Sequence, residues 1–189
     1  AGDLAAHARK AGLDEELAAA TRYGGKSDTG LVSFWWDDRA MLVVPPFPLD
    51  AVSFADGADP AQLEELLGKR PLLSVILLRL GRYAVGVLHG DKLVASKSGS
   101  RYVKSRHRAG GSSQRRFGRS RERLVRELFD KACEVAREVF APWDERIEYL
   151  LLGGERHTLE GFARRCALVR GPRPVRLQRV LQVDRPGRA

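Results

Sequence analysis

Cysteine is scarce in this chain. Its 189 residues hold two, Cys133 and Cys166, too few for a disulfide framework or a four-ligand zinc site. A reducing, cytoplasmic setting is the expectation that follows. Cys133 falls on the apolar side of a helical pattern and reads as core rather than nucleophile. Long apolar runs are missing too. The longest, LLSVILL at 72–78, is far too short to span a bilayer, so no membrane partner is expected. The opening residues, AGDLAAHARK, lack the apolar centre of a secretion signal. No P-loop, G-x-G-x-x-G or G-x-S-x-G occurs. The histidines His7, His89, His107 and His157 form neither an i, i+4 pair nor a cluster with cysteine. Each reads as structural or solvent-facing, and neither metal nor cofactor is expected.

What is abundant is charge, at 30% of residues, with a net +9 that is unevenly placed. Residues 1–96 carry 10 Lys and Arg against 13 Asp and Glu. Residues 97–126 carry 11 against 1, residues 127–163 carry 4 against 9, and residues 164–189 carry 8 against 1. Two basic blocks therefore stand on a mildly acidic body. Uniform basicity would speak only of solubility. Cations gathered in blocks point to a polyanion, because they gain most by displacing condensed counterions from phosphates. The plainer alternative for a charged run is a solvated face.

Periodicity and turn residues divide the chain near residue 70. Residues 13–25 are alanine-rich with a glycine stop and predict a helix. LVSFWW (31–36) and RAMLVV (39–44) flank Asp37-Asp38 and predict a hairpin. Phe34, Trp35 and Trp36 could stack on bases, but neighbours along a strand point to opposite faces, so part of this group must pack. PPFPLD at 45–50 marks a connection. Residues 59–69 predict a short helix with Asp59 as N-cap and Pro60 at the first helical position. This makes residues 1–69 a small N-terminal α+β extension.

In residues 70–189, strands are expected at 72–80, 82–90 and 92–98, joined by Gly81-Arg82 and Gly90-Asp91 and hence antiparallel. RYVKSRH (101–107) reads as a further extended segment or a continuation of the third strand. AGGSSQRRFG (109–118) has no period and reads as loop. A long amphipathic helix follows at 120–140, then a buried strand at 146–154, a helix at 154–170 and a last strand at 175–183. The order β-β-β-α-β-α-β predicts an α/β fold, a mixed sheet of ribonuclease-H-like architecture. That architecture serves many activities. Ribonuclease-H-type cleavage needs carboxylates clustered on the sheet to hold two metal ions. The first two core strands contain no acid at all, which disfavours that route.

One constellation stands apart. GGSSQ (110–114) lies between VKSRHR (103–108) and RRFGRSR (115–121). Paired glycines allow a backbone to approach a ligand closely. A neutral glutamine among arginines adds both a donor and an acceptor, which an electrostatic tether does not need. Such a group can orient a water, and adjacent N–H groups can meet a developing oxyanion. By spacing alone the segment reads first as a flexible Gly/Ser loop with an incidental glutamine, and second as a site.

The run HGDKLVASKSGSRYVKSRHRAGGSSQRRFGRSRERLVRELFDKA (89–132) resembles the catalytic domain of eukaryotic and archaeal class I peptide-chain release factors. It is more similar still to the Vms-like release factors, in their bacterial, actinobacterial form. The likeness covers about residues 70–183 and is strongest at 99–130. It implies a ribonuclease-H-like fold and a loop whose glutamine serves in releasing the nascent chain from tRNA. Carried over by motif, Gly110 and Gly111 match the glycine pair and Gln114 the glutamine, with Ser112 and Ser113 between them. The release-factor motif has no residue there and the Vms-like motif one. Arg106, Arg108, Arg115 and Arg116 match the basic flanks, and with Lys104 and Arg119 they are expected to engage RNA. The resemblance thus implies a monomeric peptidyl-tRNA ester hydrolase acting with large-subunit ribosomal RNA, independent of a codon because no stop-codon reader is present. Two alternatives stay open: cleavage of tRNA near its 3′ CCA end, and a non-catalytic RNA-binding module. The basic block 164–189 could contact ribosomal RNA or be an ordinary last strand with a frayed tail.

Overall fold

The structure, a computed structural model, describes residues 6, 9–10, 12–24, 27–36, 39–50, 60–103 and 112–187. The chain divides into two compact units, Ala1–Lys69 and Arg70–Ala189.

The first unit contains helix α1 (Asp14–Gly24), whose first turn holds Asp14, Glu15 and Glu16, the sign that suits a helix N-terminus. Strands β1 (Val32–Trp36) and β2 (Arg39–Val43) form an antiparallel hairpin in which Trp36 pairs with Arg39. The expected turn, Asp37-Asp38, lies outside the described residues, as does Asp59. Helix α2 spans Ala61–Gly68, and Pro60 occupies its N-cap rather than its first helical position, without a side-chain cap. A proline there has no N–H to satisfy, and its carbonyl accepts the first helical bond, from the Glu64 N–H at 2.9 Å.

The second unit is built on a five-stranded mixed sheet. Strands β3 (Leu72–Arg79), β4 (Arg82–His89) and β5 (Lys92–Ser100) are an antiparallel meander. The first turn is Leu80-Gly81 rather than Gly81-Arg82, because Arg79 and Arg82 pair across it. Helix α3 (Ser112–Phe140) leads to β6 (Tyr149–Gly154), which lies parallel to β3. Helix α4 (Arg156–Arg165) leads to β7 (Val175–Leu181), parallel to β6. The sheet order is β5-β4-β3-β6-β7, the mixed ribonuclease-H-like arrangement that the element order implies. Several of the expected boundaries move inward. The strand expected from 146 starts at Tyr149, β7 stops at Leu181, and the helix expected to run to 170 stops at Arg165, because Cys166 turns extended before a single 3-10 turn at Ala167–Val169.

One face of the sheet carries the core. Ile76 and Leu78 of β3, Val85 and Val87 of β4, and Leu150 and Leu152 of β6 are at most 2% exposed and share a face by register. Against them pack Leu128, Phe129, Ala132, Val135, Ala136 and Phe140 of α3 with Leu159 and Phe162 of α4. Phe129 and Phe162 meet edge to face, centroids 5.9 Å apart, a geometry worth ~1 kcal/mol beyond area burial. The one polar side chain in the middle of β3, Ser74, is fully buried and donates its hydroxyl to the Tyr149 carbonyl at 3.0 Å.

Cys133 is in the core, as its place on the apolar side of its helix predicts, and it has Cys166 beside it. They are joined as a disulfide, with Cα atoms 5.6 Å apart and 33 residues of sequence separation, in the core between α3 and the end of α4. Neither spacing nor composition places two such distant residues together; the packing of the helices does. No described helix is long and apolar enough to cross a membrane.

Candidate functional site

Because β3, β6 and β7 are parallel, their C-terminal ends share one end of the sheet, where β4 begins and β5 finishes. The Arg101 N–H donates to the Gly81 carbonyl at 2.9 Å and fixes where the chain leaves this end. Tyr102 follows, 76% exposed, and the chain re-enters the described residues at Ser112, the first residue of α3. Lys104, Arg106, Arg108, Gly110 and Gly111 lie outside the described residues.

The loop expected at 109–118 is helical from Ser112 onward. Ser112, Ser113 and Gln114 form the first turn, and Arg115, Arg116 and Arg119 follow within two turns. Arg116, Phe117, Gly118 and Arg119 are exposed, whereas burial begins in earnest at Leu128. An α-helix rises ~1.5 Å per residue, so the stretch 112–123, the arm of α3, amounts to ~18 Å of helix ahead of the first fully buried turns. The pattern that identifies a helix, apolar residues every third or fourth position, exists only where a helix packs on something. Residues 116–119, all exposed, show none, and Gly118 adds a false break.

The arm's electrostatics are one-sided. Its first turn contains no acid, and Arg115, Arg116, Arg119, Arg121 and Arg123 stand against Glu122 alone. The Arg123 guanidinium lies 3.6 Å from Glu127 one turn on. Arginines at a helix N-terminus oppose the positive end of the macrodipole, a cost that an anionic ligand would remove. Behind the arm, side chains pair off. Lys97 of β5 binds Glu138 of α3 at 2.5 Å, and its ammonium donating to that carboxylate holds Glu138 below the usual carboxylate range. Arg165 donates two bonds of 2.9 Å to Asp130, which raises the arginine's pKa further.

Arg79, the only charge on β3, has a role that composition did not reveal. It donates to Glu155 at 2.9 Å and to the Val183 carbonyl at 3.1 Å, with Asp184 3.6 Å away. It thereby ties the C-terminal segment to the sheet end and occupies the carboxylate of Glu155. Among the described residues no group of three or more His, Cys, Asp or Glu side chains could hold a metal ion.

The ribonuclease-H-like unit and the basic helix that follows the Gly-Gly-Ser-Ser-Gln sequence place the chain in the class of the release factors. The chain belongs to the Actinobacteria/chloroflexi VLRF1 release factor family, whose model matches residues 71–189. It is 30% identical over 125 residues to peptide chain release factor subunit 1 of Archaeoglobus fulgidus, 64% of this chain and 30% of that one. With the Thermococcus sibiricus protein of the same name it shares 32% over 130 residues, 67% of this chain and 31% of the relative. The chain thus spans about a third of these relatives' length. The crystal structure of the archaeal translation termination factor aRF1 matches the fold with a TM-score of 0.50 at 19% identity, over 84% of this chain and 44% of that one.

Proposed function

We propose that this protein hydrolyses the ester joining a nascent peptide to the terminal ribose of tRNA, freeing chains from stalled large-subunit complexes without reading a codon. The observation that carries this reading is Gln114 in the first turn of an arginine-rich helix in which Arg116, Phe117, Gly118 and Arg119 are exposed. Family membership and the likeness to peptide chain release factors support it.

In this mechanism Lys104, Arg106, Arg108, Arg115, Arg116 and Arg119 hold RNA phosphates. Gly110 and Gly111 let the chain pass close to the acceptor end, and Ser112 and Ser113 set where Gln114 stands in the helix. Gln114 orients the attacking water by its side chain or its backbone N–H. It is no general base, since an amide has no useful proton to exchange. The water oxygen bonds to the ester carbonyl carbon, and the bond from that carbon to the ribose 3′ oxygen breaks. The water's proton passes to that leaving oxygen, with the neighbouring 2′-hydroxyl as relay. Acceleration comes from positioning and from N–H groups facing the developing oxyanion. The protein acts as a monomer in the cytoplasm and needs no metal or cofactor. Residues 70–189 form the acting unit, and residues 1–69 are an appended lobe.

The test is release of a labelled nascent chain from purified 50S–peptidyl-tRNA complexes, with both products mapped. Full-length tRNA with an intact 3′-hydroxyl beside free peptide is the expected result. A tRNA shortened near its CCA end would instead make the protein a tRNA nuclease.

A further inference from the structure

The second basic block has a definite place in the fold that the release reaction does not use. Residues 164–189 contain 8 Arg and no Lys against a single acid. Arg170 and Arg173 precede β7, Arg176 and Arg179 lie on it, and all four are exposed. β7 is an edge strand. Leu177 is its one buried residue.

Among the described residues, the cations of the unit divide into those with a counterion and those without, the latter including Arg70, Arg82, Arg126 and Arg137 as well as four around β7. Arg79, Lys97, Arg123, Lys131, Arg156 and Arg165 each pair with a carboxylate. Arg170, Arg173, Arg176 and Arg179 make no ion pair among the described residues, although the segment before them, 127–163, is acidic. An edge strand does need charge to block pairing with another chain. That need is met on the strand itself and does not call for Arg170 and Arg173 ahead of it. A strand of this length extends ~23 Å, enough to face several consecutive phosphates. Arginine without lysine suits phosphate in particular, because the planar guanidinium binds two oxygens at once.

We infer that Arg170, Arg173, Arg176 and Arg179 along the β7 edge form a second RNA-binding surface, distinct from the arm, which grips the phosphate backbone of structured RNA. The inference goes beyond the proposed reaction and needs no release activity. Its partner is a folded RNA rather than an anionic membrane, since the exposed apolar residues on the strand, Val175 and Val180, are single and small.

The test measures binding of a fluorescent structured RNA and of purified 50S subunits between 50 and 300 mM salt, with full-length protein. The variants are R176A/R179A on the strand and R170A/R173A ahead of it, each checked by thermal midpoint. The second pair keeps the test informative should the first disturb the edge. Expected is a loss of roughly tenfold in affinity at 0.1 M salt for each pair, with the log–log salt slope smaller by about two, and a smaller loss with an unchanged slope on R176K/R179K, which keeps the charge but not the two-oxygen fork. Unchanged affinity and slope in folded variants would overturn the inference. So would binding of phosphatidylglycerol vesicles or polyglutamate as tight as that of RNA and equally sensitive to these substitutions. A failure of the release reading, seen with Gln114 variants, leaves this measurement untouched.

Discussion

Gly154 ends β6 at φ +133°, and a Cβ there would lie 2.0 Å from the Leu78 carbonyl oxygen. Backbone cannot yield as a flexible side chain can. Gly154→Ala is therefore expected to destabilise the second unit by ~1–3 kcal/mol or more, read as a lower denaturation midpoint at unchanged m-value. The glycine is plain in the sequence but its reason, the neighbouring strand's carbonyl, is not. Gly118 is the opposite case. It sits inside α3, and an added Cβ would meet no atom within 4 Å. Gly118→Ala should stabilise the arm by ~0.5–1 kcal/mol, visible as slower amide exchange at residues 112–123. The same contrast separates what was legible at single residues. Gln114 and its arginines stand out by chemical type, whereas Arg79, with three partners at the sheet end, looks like any strand-terminal charge.

At the scale of elements, β3, β4 and β5 were legible because turn residues separate short apolar runs, and β6 and α4 because their apolar patterns are clear. The leading turns of α3 were not. Packing imposes the pattern by which helices are recognised, and this part of the helix has exposed Arg116, Phe117 and Arg119 where a packed helix would show a stripe. Helix persists there because arginine is a good helix former and because propagation from an existing helix costs little. The arm's charge gives the prediction that belongs to this scale. Arg115→Ala with Arg116→Ala should weaken binding to 50S–peptidyl-tRNA complexes and reduce the log–log salt slope by about two, if both arginines face phosphates. An unchanged slope in titrations over several salt concentrations would remove both from the phosphate footprint.

For the whole molecule, the division of labour follows from where charge is neutralised and where it is left open. The core-facing halves of α3 and α4 hold the Phe129–Phe162 contact, the Cys133–Cys166 bond and the Asp130–Arg165 pair. They make a fixed base. The arm carries its charge forward with little to balance it. The disulfide and the sheet-end network around Arg79 join residues 33 and 76 or more positions apart, and such pairings follow from the closed sheet and not from any local pattern. The central claim is that Gln114, delivered by the arm, takes part in ester hydrolysis and does not merely mark a hinge. Its most direct test is the rate at which labelled peptide leaves 50S–peptidyl-tRNA complexes with wild type beside Gln114→Ala, binding of each being measured in parallel. The account predicts release slowed by ~10²–10³ with binding retained; equal release rates at equal occupancy would contradict it.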